Sequence, residues 1–259
     1  MLYNKYVKMH MKSSMQFKTN SLLQMLSSVI ISVGEILAVY MLFMRFESVG
    51  EWGFYETALM FGIITSVYSF TECFARGFDE FAHLVRDGDL DRLLVRPVNI
   101  IHQIFCSKIE FTKLARVLLG LVVCVIALIN LNIVWTVSKV IVLILTFACG
   151  CCVILGVMMI GAGISIFSVE RLEFINIITN GSKEIAYYPI NIYHKVLSTI
   201  FTFVIPIACF NYLPISYLMG YGSLPQILYA ISPLFGVIFL IPCLMFFLWS
   251  LTKYQSSGT

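Results

Sequence analysis

Apolar residues come in six long runs, and the polar residues gather between them. The runs cover residues 22–44, 53–74, 114–131, 140–167, 197–219 and 224–249. A helix that crosses the hydrocarbon core of a bilayer needs about 20 mostly apolar residues, so each run predicts one transmembrane helix. Glu35 interrupts the first, Glu56 and Glu72 stand near the two ends of the second, and the fifth carries Pro206 and Pro214. The last contains Pro225, Pro233 and Pro242. Its residues 224–233 read either as part of the span or as a short re-entrant piece before a span that starts near Leu234. The fold class this predicts is all-α, a polytopic membrane protein with six transmembrane helices.

The polar segments give the chain a direction. Lys5, Lys8 and Lys12 recur at helical spacing with Tyr3, Tyr6, Val7 and Met11 between them. Residues 1–20 therefore read as a basic interfacial helix or as a basic tail, expected to be retained because the apolar run that follows is too long for a cleaved leader. With that end in the cytoplasm, fifteen of the seventeen Lys and Arg residues fall on the inner side, and only Arg45 and Lys139 fall outside. Both termini are then cytoplasmic, the outer loops are short, and residues 21–259 form one six-helix membrane domain with a long inner loop at 75–113.

That loop is the most informative polar segment. Phe74, Phe78, Phe81, Ala82 and Val85 recur at helical spacing among charged residues, which predicts an amphipathic helix lying on the membrane or extending the second span. Gly88 suits a left-handed cap, Asp89 an N-cap, and Arg96-Pro97 a stop, so a short helix is predicted from Leu90 to about Val95. Leu90, Leu93 and Leu94 share one face, with Asp91 and Arg92 on the other. Asn99 suits the cap of a helix that follows. Such a helix fits a groove on another protein, or else packs on its own bundle. The later inner loop predicts a helix over 170–180 closing at Gly181, then an aromatic turn, Tyr187-Tyr188-Pro189, near the interface.

Intramembrane polar groups are few. Glu35 is costly in lipid unless paired or protonated, so it is expected to face the bundle interior, as a pathway carboxylate or a structural one. Ala148, Cys152 and Gly156, spaced by four and followed by Gly161-Ala162-Gly163, predict a small-residue face for helix packing. The eight cysteines lie in apolar stretches or on the inner side, and reduced packing thiols are expected rather than disulfides or a metal site.

Composition agrees with lipid as solvent: 59% of residues are hydrophobic and 12% charged, against roughly 45–50% and 25% for a soluble domain. The chain has no Gly-x-x-x-x-Gly-Lys-Ser/Thr phosphate loop, no His-Glu-x-x-His and no Gly-x-Ser-x-Gly, so no catalytic residue, metal or cofactor of its own is expected.

The run Gly88-Asp89-Leu90-Asp91-Arg92-Leu93-Leu94-Val95-Arg96-Pro97 resembles the signature that follows span two in the ABC type-2 permeases, in a subgroup once catalogued as a domain of unknown function. The resemblance continues at Asn176-Ile177-Ile178-Thr179-Asn180-Gly181, Tyr188-Pro189, Phe203-Val204-Ile205-Pro206, Asn211-Tyr212 and Tyr254-Gln255-Ser256-Ser257-Gly258. It implies six spans, two permease subunits (identical or related) and two cytoplasmic ATPase subunits that supply ATP and Mg, with no nucleic acid involved. It also implies that Asp89, Leu90, Asp91, Arg92, Leu93, Leu94 and Arg96, framed by Gly88 and Pro97, form the coupling helix of an exporter in a cell membrane, of the bacterial plasma-membrane kind. A non-transporting assembly or sensor subunit, or a secondary transporter using Glu35, would use the same features differently.

Overall fold

A computed structural model describes residues 6–9, 11–12, 16, 18–46, 48–167, 173–222 and 225–255, with the backbone alone over 173–178. Half of the expected helix over 1–20, the start of the one over 170–180, and Ser256–Gly258 lie outside the described residues. The spanning helices are α1 (Lys18–Arg45), α2 (Phe54–Asp79), α6 (Leu114–Asn130), α7 (Val137–Phe167) and α13 (Phe235–Leu251). Between them come α3 (Phe81–Arg86), α4 (Asp89–Leu94) and α5 (Ile100–Ser107), then α8 (Glu173–Ile185), α9 (Lys195–Thr199), α10 (Ile207–Phe210), α11 (Tyr212–Met219) and α12 (Gln226–Ile231).

Among the described residues five helices are long and apolar enough to cross a bilayer, and a pair bent by 71°, residues 195–204 with 207–219, makes a sixth when counted as one broken span. The break has a local cause. Pro206 has no N–H to continue the ladder and its ring excludes the preceding turn. The chain therefore winds into a π turn over Ile200–Val204, leaves it through extended Ile205, and restarts at Ile207. Pro214 sits in the first turn of α11, where a missing N–H costs nothing. Residues 226–234 form α12 and a 3-10 turn through Pro233 that lead directly into α13.

At the centre stands α2, whose apolar window is 83% buried, whereas that of α1 is only 11% buried. α6 meets α2 through glycines: a Cβ on Gly62 would lie 2.8 Å from the Gly120 carbonyl oxygen. With no side chain at either position, the two backbones touch, which is how helices associate where burial from water gives no drive.

The small-residue face of α7 differs from the expected one. Ala148 is exposed, and Cys152 lies beside Phe70 and Phe74 of α2 and Phe105 of α5. Only Gly156 of that trio touches α13, where a Cβ would meet Phe239 at 3.0 Å and Cys243 at 3.1 Å. The packing face runs instead through Cys149, Gly156 and Gly163, opposite Gly236, Cys243 and Ser250. Both sets recur every seven residues, the repeat of two helices wrapped about one another with a shallow crossing, not the four-residue repeat of a steep one. All eight cysteines are free, and no group of metal-ligating side chains occurs among the described residues.

Candidate functional site

Two assemblies of polar residues stand out, one on the face that carries residues 80–110 and one inside the bundle. The first begins at the C-terminal end of α2. Ala75 departs from helical geometry, and at Gly77 the Ile104 carbonyl and Ser107 side chain of α5 occupy the space a Cβ would need. Phe78 and Phe81 pack edge-on against Phe247 of α13, so the amphipathic stretch 74–86 continues span two and packs on its own bundle. Arg76 bridges Asp79 at 2.6 Å, Glu80 at 3.3 Å and Glu110 at 3.5 Å, and Lys108 bridges Glu80 at 2.7 Å. Charges from both ends of the loop therefore close on one another, and the Glu110 N–H donates to the Cys73 carbonyl. A network fixes geometry better than isolated surface pairs do.

On this base sits α4. Gly88 adopts φ 73°, the left-handed conformation that lets the chain reverse between α3 and α4. Asp89 is the first helical residue rather than the cap; its carboxylate pairs with Arg92 at 3.0 Å and faces the positive end of the helix. Asn99 does cap α5, accepting from the Ile101 N–H at 2.9 Å. The end of α4 is closed by Gln103, whose side-chain amide donates to the carbonyls of Leu93 and Val98, both at 2.9 Å. The Tyr254 phenol lies beside Asp91, and burial, with the Asp91 carboxylate, pushes its pKa up.

The leucine face is split. Leu90 is fully buried in the chain's own core, Leu93 is half-buried, and Leu94 is 44% exposed. The residues offered outward are Leu94, Val95 (85% exposed), Arg96, Pro97 and Val98. Leu90 anchors the helix, and the turn after it supplies the apolar surface.

The second assembly surrounds Glu35. Its carboxylate accepts from the Tyr187 hydroxyl at 2.8 Å, from Lys183 Nζ at 3.1 and 3.3 Å, and from Arg116 Nη2 at 3.3 and 3.4 Å. Arg116 Nε donates to buried Ser32 at 2.8 Å. Glu35 lies ten residues before the end of α1, about 15 Å of helix rise. The Tyr187 ring packs at 4.7 Å on Phe61, seven residues into α2. Glu35 and Tyr187 are thus at mid-bundle depth, and Arg116 reaches them from the third residue of α6.

Arg116, Lys183 and Tyr187 correct the sequence reading. The first two count there as inner-loop charges and the third as part of an interfacial turn. In the structure the segment from α8 to Tyr187 rises along α2, with the Tyr68 hydroxyl donating to the Thr179 carbonyl and Asn211 Nδ2 to that of Ala186. One signal is present in the chain: an intramembrane carboxylate demands a counter-charge, and Arg116 lies inside the run 114–131. Nothing in the spacing marks Lys183, 148 residues from Glu35.

The family model described as ABC-2 family transporter protein matches residues 29–258. Comparison with curated proteins and with solved structures finds no match. The matched region runs from within α1 to beyond α13 and includes the glycine-capped α4 and the α8 segment that enters the bundle, and on that match the chain belongs to the ABC-2 family of transporter proteins, multi-pass membrane components of ABC transporters.

Proposed function

We propose that this chain is the permease subunit of an ATP-driven exporter, and that α4 with the turn after it is where a cytoplasmic ATPase docks. The observation that carries this is the split of α4. Leu90 and the Gln103 bonds bind it to the bundle, while Leu94, Val95 and Val98 are held out to solvent beside Arg96. An element that is fixed behind and apolar in front transmits a push without deforming. The push would pass through the Arg76–Glu80–Lys108–Glu110 network into α2, the most buried helix.

Two such permeases and two ATPases would form the complex, in a bacterial plasma membrane with both termini cytoplasmic, and the partner permease would be identical or related. The chain would bind no ATP, Mg or other cofactor itself. A secondary transporter built on Glu35 has less support, since that carboxylate is ion-paired with two cations. The test is Leu94→Asp with Val95→Asp. Membrane insertion should be unchanged and co-purification of the ATPase lost; unchanged association would refute the docking assignment. ATP-dependent flux in reconstituted vesicles separates a permease from an assembly or sensor subunit.

A further inference from the structure

We infer that the Glu35 cluster is a binding station for an oxyanion group, phosphate or carboxylate, in which Glu35 is a resident stand-in for the ligand. Three donors from two separate elements, Arg116 on α6 with Lys183 and Tyr187 on the α8 segment, converge on this one carboxylate. Charge-assisted donors arranged this way are what recognises phosphate and carboxylate oxygens. The cluster holds two cations and one anion, and the next carboxylate, Glu72, is engaged by Lys113 at 3.0 Å. One positive charge is left in excess at mid-bundle depth, a place where ionisable groups mark substrate paths.

The stand-in can leave. α1 is the least packed spanning helix, and Gly34 beside Glu35 has open space around it. The side chains of Glu35, Arg116 and Lys183 are 24%, 14% and 11% exposed, so the cluster has an open side along α1. An anion approaching there would take the three donors while Glu35 swings outward with its helix. The ligand site rests on this geometry alone; its use as a station for transported substrate rests on the permease reading.

The experiment uses the full chain purified in a neutral detergent, with no ATPase present, and reads thermal stability against added ligand. The probes are dodecyl phosphate, inorganic phosphate and, as neutral control, dodecyl maltoside. Dodecyl phosphate should stabilise the wild-type chain and dodecyl maltoside should not. A matching response to inorganic phosphate assigns the site to the free ion; a response to dodecyl phosphate alone assigns it to an amphiphile head. Glu35→Gln removes the competing carboxylate and should lower the half-saturating concentration about tenfold. Arg116→Gln and Lys183→Gln should abolish the response, and Arg116→Lys should retain part of it should the neutral variants fail to fold. An equal response to dodecyl phosphate in wild type and Glu35→Gln, or an equal response to the neutral detergent, overturns the site. Retained ATPase co-purification alongside that result would leave the docking assignment standing.

Discussion

Gly77→Ala isolates the seating of α5, and through it of α4, from the rest of the bundle. A Cβ at residue 77 falls on the Ile104 carbonyl oxygen and the Ser107 hydroxyl, both on α5. The first is backbone, so no rotamer change relieves the clash and α5 must move away from α2. Overpacking of this kind costs about 1–3 kcal/mol. Gln103 ties α5 to α4 through the Leu93 carbonyl and to the turn after it through that of Val98, bonds worth roughly 1 kcal/mol each. The two quantities are comparable, so the strain is relieved by releasing the loop. The α2–α6 and α7–α13 contacts are far more extensive and stay intact. The variant should insert and purify as wild type, yet open at residues 85–100. Since about 1.4 kcal/mol is a factor of ten in an equilibrium, trypsin should cut after Arg92 or Arg96 about tenfold faster, and ATPase association should weaken with it. Gly34→Ala, placed in open space, is the matched control. Equal cleavage rates in the two variants would refute the idea that contact at Gly77 seats the loop.

Three further outcomes follow from the packing. Leu90→Ala should destabilise the chain by about 2–5 kcal/mol, whereas Val95→Ala should leave its melting temperature unchanged, because Leu90 is fully buried and Val95 is not; similar losses at both positions would contradict the split face. Gly156→Leu should disrupt the α7–α13 crossing and lower the melting temperature, where Ala148→Leu should leave it unchanged; equal melting temperatures would contradict the assigned face. At the opposite face, the Tyr221 hydroxyl donates to Glu56 at 2.7 Å, and that bond, then burial, pushes its pKa up to about 12. The stabilisation from neutral Tyr221 is complete below the ordinary tyrosine range near 10 and lost as pH rises through 12. Ultraviolet difference titration against Tyr221→Phe should show that high step, and Glu56→Gln should bring it down; no movement would remove Glu56 as the cause.

The hydrophobic pattern alone determined that the chain is a helical membrane protein, where its spans lie to within a few residues, and where the short helix after Gly88 begins and ends. These are local properties: apolar run length, a glycine able to take φ 73° and a proline that cannot continue a helix. The bend at Pro206 was legible on the same grounds.

What the tertiary structure decided is which residues face each other. Leu90 and Leu94 share a helical face by spacing, yet one is buried and the other half exposed, because α5 and the core cover only one end of α4. Ala148 and Cys152 have the spacing of a packing face, but α13 lies along a seven-residue repeat, and the angle between two helices is not written in either of them. The Glu35 cluster joins residues up to 152 apart, and Arg116 and Lys183 look like solvated charges until α8 is seen to enter the bundle. Periodicity reports the side of an element that is apolar; only the assembled chain settles what lies against it.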